Sequence, residues 1–129
     1  MAKHNYKANF ILNSPKSKGR LEVSLDLYLF EEDNIHYAYC PQLDLNGYGK
    51  TEPEAKKSFA ITIEEFFRYT LNKETLISEL KRLGWKINKK QWLSPELEDL
   101  LKENEDFNDI LHKKNYKKTT ENVLVPEYA

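Results

Sequence analysis

Residues 39–55 read Tyr39-Cys40-Pro41-Gln42-Leu43-Asp44-Leu45-Asn46-Gly47-Tyr48-Gly49-Lys50-Thr51-Glu52-Pro53-Glu54-Ala55, and three structural signals follow one another along them. Pro41 has no amide hydrogen to give to a ladder, so it ends the strand leading to Cys40 or confines it to an edge. Leu43 to Tyr48 spans a further short strand, with Asn46-Gly47 as a bulge or turn. Gly47 and Gly49 read as backbone positions with unusual dihedrals just before a helix. Thr51-Glu52-Pro53-Glu54 then forms a capping box. The Thr51 hydroxyl accepts from the Glu54 amide, the Glu54 carboxylate reaches back to the Thr51 amide, and Pro53 sits where its missing N–H is not needed.

Working upstream, Leu21, Val23, Leu25, Leu27 and Leu29 alternate with Glu22, Ser24, Asp26, Tyr28 and Phe30. A period of two is the mark of a half-buried strand. Glu31-Glu32-Asp33-Asn34 supplies a polar turn, and Ile35 to Cys40 is a second strand rich in β-formers. With the strand after Pro41, these make a three-stranded antiparallel meander.

Downstream, Ala55, Phe59, Ile63, Phe66 and Thr70 recur at helical spacing, and Ala60 and Phe67 widen the apolar stripe. Asn72 breaks or re-caps the helix. A second helical segment runs from Glu74 to Leu83, with Leu76, Leu80 and Leu83 on one face, and Gly84 stops it. Trp85-Lys86-Ile87 is expected to return to the sheet as a strand.

The fold class is therefore α+β, a β-β-β-α-β core over residues 21–88. Residues 1–20 form an N-terminal arm, in which Tyr6 to Leu12 is a short edge strand and Asn13 to Gly19 a turn. Residues 89–129 form a helical and strand extension expected to pack on the core or on a neighbouring subunit. In it Ser94 and Pro95 open a helix carrying Leu97, Leu100 and Leu101, and Phe107, Ile110 and Leu111 mark another turn. Asn122 to Val125 is a strand stopped by Pro126.

With 129 residues, 40% hydrophobic and 32% charged, the chain has the composition of one globular domain. A formal net charge of −1 gives no global attraction to nucleic acid or acidic membranes. The single cysteine, Cys40, excludes an intrachain disulfide and argues against secretion. No signal peptide or membrane span is read, so a cytoplasmic protein is expected.

The candidate chemistry is sparse. Gly49-Lys50-Thr51 has the ending of a phosphate-binding loop, but Asp44 stands where that loop needs its first glycine. Asp26, Asp44 and Glu31 lie on or beside strands, as a metal-dependent nuclease requires, yet Asp26 alternates onto a face read as solvated. His4, His36 and His112 have no ligand spacing, and Cys40 in an apolar strand reads as a buried structural thiol. No catalytic residue, metal or cofactor is expected. The aromatic content points elsewhere. Tyr28, Phe30, Tyr37, Tyr39 and Tyr48 fall on consecutive strands, and those opposite the helix form a partner-binding surface or a seat for the extension.

The order Tyr39-Cys40-Pro41-Gln42-Leu43 followed by Gly49-Lys50-Thr51-Glu52-Pro53-Glu54-Ala55 resembles the HicB antitoxin family. That family carries a Pro-x-Leu element, a short strand, Gly-x-Thr and an acidic helix start with Glu-Ala, on a degraded RNase H-like core. The resemblance covers roughly residues 21–88. Where the family often has Leu-Pro-Gly-Cys, this chain has Leu43-Asp44-Leu45-Asn46. The resemblance implies a non-enzymatic antitoxin that sterically neutralises a HicA-type mRNA-cleaving toxin of a type II toxin–antitoxin system. It also implies a homo-oligomer, a dimer or tetramer. Many members append a ribbon-helix-helix or helix-turn-helix domain, and residues 89–129 show neither pattern, so DNA binding is not expected. The alternatives are an orphan HicB-like interaction or regulatory domain and a divergent RNase H-like nuclease.

Overall fold

The computed structural model describes residues 22–88 and 91–125. The arm over residues 1–20, with its expected edge strand at Tyr6 to Leu12 and turn at Asn13 to Gly19, lies outside the described residues, as do Leu21, His4 and Pro126. Among the described residues no helix is long and apolar enough to cross a membrane.

The architecture is mixed α+β. Strands β1 (Glu22–Glu32), β2 (Ile35–Cys40) and β3 (Leu45–Gly49) form the expected antiparallel meander. Asp33 and Asn34 turn the first hairpin with positive φ values of 54° and 67°. Two adjacent left-handed residues of this kind match the twist of the flanking strands.

The second turn, Pro41 to Asp44, is tied down from inside. Gln42 is 1% exposed, and its Oε1 accepts from the Asp26 amide at 2.8 Å. Its backbone carbonyl accepts from the Trp85 indole N–H at 2.8 Å. Leu43 enters the core, and Asp44 takes φ 55° to start β3. The left-handed residue is thus Asp44 rather than one in Asn46-Gly47, which lies inside β3.

The helix α1 (Glu52–Asn72) begins at the Thr51 cap, whose side chain accepts from the Glu54 amide at 3.2 Å. The return bond lands one residue earlier than expected, on the Lys50 amide at 2.9 Å. Ala55, Phe59, Ile63 and Phe67 point into the core against Leu25, Leu27, Leu29, Ala38 and Cys40. Gly47 and Gly49 serve this packing, and neither has a positive φ. A β-carbon on Gly47 meets Phe59 and Ala55 backbone atoms, and one on Gly49 meets Glu54.

After α1 the chain departs from expectation. The helix α2 (Leu76–Arg82) stops at Gly84, whose φ is +101°. The next strand, β4 (Lys86–Ile87), does not rejoin the sheet. It pairs with β5 (Trp92–Leu93) in a separate hairpin, and Trp85 and Trp92 plug the end of the core. Two residues present too few ladder groups to compete for the edge of β1. That edge is taken by β6 (Lys117–Leu124), antiparallel from Glu22↔Leu124 to Leu29↔Lys117, giving the order β3-β2-β1-β6.

The extension also supplies α3 (Leu97–Glu103) and α4 (Glu105–Lys113). The first starts after Glu96 rather than Ser94, and Ser94 is buried instead of capping. Asn104 caps α4, accepting from the Phe107 amide at 3.0 Å.

Candidate functional site

Strand alternation sends every second side chain of the sheet to the face opposite α1. That face carries Tyr28 and Phe30 from β1, opposite Tyr39 and Tyr37 of β2, with Tyr48 of β3 next to Tyr37. The five aromatic residues singled out from the sequence therefore share one face.

The extension divides them. Phe107 of α4, fully buried, meets the Tyr28 ring edge-on at 5.0 Å and lies 6.4 Å from Tyr39. With Leu100 and Ile110 it closes a second small core in which Tyr28 and Tyr39 are 2% and 5% exposed. The Tyr39 hydroxyl donates to Asp44 Oδ1 at 2.7 Å and accepts from Asn104 Nδ2 at 2.6 Å. Burial, then the Asp44 bond, pushes its ionisation well above the ordinary tyrosine range.

Among the described residues, Phe30 and Tyr37 stay half-buried at the margin of this core, and Tyr48 stands exposed. Phe30 and Tyr37 stack at 5.2 Å with their planes 19° apart, and Tyr48 stands edge-on to Tyr37 at 6.5 Å. Tyr48 is 63% exposed. Between this plate and α4 lies a cleft of about 300 Å³, walled by Ile110 and rimmed by Asp106 and Asp109. Glu32 and Lys114 close one side as an ion pair at 3.2 Å. Sequence reasoning named the aromatic floor and missed the acidic rim, which comes from a helix far along the chain.

The carboxylates weighed as a nuclease centre do not gather. Asp26 is not on a solvated face. It is 5% exposed beside β6, where its Oδ1 accepts from the Thr120 hydroxyl at 3.2 Å and Lys118 Nζ lies 3.9 Å from Oδ2. Asp44 is engaged by Tyr39, and Glu31 lies 3.9 Å from His36. Among the described residues no group of three or more His, Cys, Asp or Glu is placed to hold a metal ion. His112 Nδ1 lies 2.9 Å from the Asn108 carbonyl in its own helix.

Cys40 is fully buried, and burial pushes its thiol up to about 12. A thiol held protonated is a poor nucleophile. Lys50 and Thr51 sit at the junction of an antiparallel edge strand with α1, unlike the buried parallel strand that leads into a phosphate-binding loop.

No protein-family model, curated protein or solved structure matches the chain.

Proposed function

We propose that this chain is an antitoxin-like, HicB-type protein-binding module that neutralises a HicA-type mRNA-cleaving toxin by covering its active surface. The observation that carries the reading is the aromatic group of half-buried Phe30 and Tyr37 with exposed Tyr48 on one sheet face. Aromatic rings fixed on a rigid sheet and partly exposed are characteristic of binding surfaces, because they bury much area at little entropic loss. The run from Tyr39 to Ala55 supports the family side of the proposal. Its Pro-x-Leu element is the Gln42-centred turn, and its Gly-x-Thr is the close approach of β3 to α1 followed by the Thr51 cap.

The proposal assigns binding and no catalysis to the chain, and includes self-association into a dimer or tetramer. The proposal requires a small basic reading frame adjacent to its gene, and co-expression with that neighbour is expected to restore growth that the neighbour alone arrests. Tyr37→Ala and Tyr48→Ala are expected to abolish the rescue while leaving the fold intact. If no small basic protein co-purifies from the native cell, the antitoxin reading is lost. A stable complex with a partner that does not cleave RNA would leave a HicB-like interaction domain with another role.

A further inference from the structure

Resting on the reading above, we propose that the cleft between the Phe30–Tyr37 plate and α4 takes an arginine side chain of the protein partner.

Phe30 and Tyr37 line this cleft as an offset, face-to-face pair with centroids 5.2 Å apart. A planar guanidinium extends such a stack on an outer ring face, attracted by the negative ring face and by dispersion. Ile110 closes the back wall, so the methylene stem is sheltered from water as the head group settles.

The rim fixes the sign of the ligand. Asp106 and Asp109 are three apart on α4 and both line the cleft, and Glu32 lines it across from them. Among the described residues, Lys114 is the one cation that lines the cleft beside these three carboxylates, so the described lining carries an excess of two negative charges. Lys114 is held by Glu32, and Asp109 shares Lys113 at 3.4 Å through a pair that lies largely in solvent. Exposed pairs of that kind exchange readily for a better partner. Asp106 takes part in no ion pair among the described residues.

A phosphate-bearing ligand is excluded by the same lining, since nucleic-acid contacts need cationic groups where this cleft has carboxylates. A lysine ammonium meets the charge but has no plane to lay against a ring. The guanidinium meets both, stacking on the ring while its N–H groups fork onto the carboxylates.

The test uses the whole chain and three probes, acetyl-Gly-Arg-Gly-amide and its citrulline and lysine counterparts, followed by amide and aromatic NMR shifts. The arginine peptide is expected to move the Tyr37 and Phe30 ring signals and the Asp106 and Asp109 amides. It should bind about tenfold more tightly than the citrulline peptide, and added salt should weaken it. The Asp106→Asn/Asp109→Asn double variant and Tyr37→Leu are each expected to remove the shifts, with the spectrum elsewhere unchanged. Equal response to citrulline, shifts located elsewhere, shifts that survive both variants, or no response overturns the proposal, and a lysine response equal to that of arginine overturns the choice of arginine. A partner complex that forms normally with the double variant also overturns the proposal, while the binding function of the plate stands.

Discussion

A β-carbon placed on Gly47 would lie 2.2 Å from the Phe59 amide nitrogen, so β3 and α1 meet backbone to backbone. The next nearest atoms, the Ala55 carbonyl oxygen at 2.6 Å and Phe59 Cα at 2.7 Å, are also backbone and have no rotamer by which to move aside. Gly47→Ala must therefore lift the helix from the sheet along its buried face. Denaturant unfolding should show a loss of about 3 kcal/mol or more, at the upper end of overpacking effects. A loss below the change seen for an exposed surface substitution would contradict this contact.

The Tyr39 hydroxyl ties the second turn to the start of α4. Tyr39→Phe keeps the ring against Phe107 but leaves the Asp44 carboxylate and the Asn104 amide without this partner. The expected loss is about 1–2 kcal/mol in urea unfolding, with faster hydrogen exchange in the first turn of α4. An unchanged exchange rate there, with stability lowered elsewhere, would contradict the tie.

Alkaline pH should loosen the fold through Cys40. Its folded thiol titrates near 12 against an ordinary 9.0, so it stays protonated while the unfolded chain loses that proton. The contribution is complete below pH 9 and is lost as pH rises toward about 12, at no more than about 1.4 kcal/mol per pH unit. Tyr39, also raised by burial, adds to the decline above its ordinary value of 10.0. Melting temperatures across this window should fall less steeply in Cys40→Ala than in the native chain, although the variant starts lower because of the cavity. Equal slopes would mean that the thiol does not couple to folding.

Phe30, Tyr37 and Tyr48 separate binding from stability. Tyr48→Ser removes an exposed ring and should change unfolding by less than about 0.5 kcal/mol. The same variant should weaken partner association roughly tenfold or more, the signature of an anchor residue. Pull-down with the co-expressed neighbour, beside a melt of the isolated chain, reads both quantities. A melt that falls as far as the binding would place Tyr48 in the fold instead.

The parts legible in the sequence are those set by near neighbours. The strand from Val23 to Leu29 and the Thr51 cap need only residues within a turn or a strand, and both stand where they were read, although the strand is buried on both faces from Leu25 to Leu29 instead of half-buried. What failed needed distant partners. Trp85-Lys86-Ile87 is strand-like, but nothing local tells it to pair with Trp92 and Leu93 instead of β1. Asp26 looks solvated until Lys118 and Thr120 arrive beside it on β6. The aromatic floor of the cleft was readable because its members recur on adjacent strands, whereas Asp106 and Asp109 join it only through the docking of Phe107.

The pairing of β1 with β6 joins residues such as Ser24 and Asn122, which are 98 positions apart. A ribosome adding roughly 5–20 residues per second therefore exposes β1 for about 5–20 s before its neighbour exists. During that interval the nascent sheet ends on an open ladder able to capture a strand from any passing chain. Synthesis that stops short of residue 117 leaves this vulnerability permanent, so the quality of each copy is decided in its late translation.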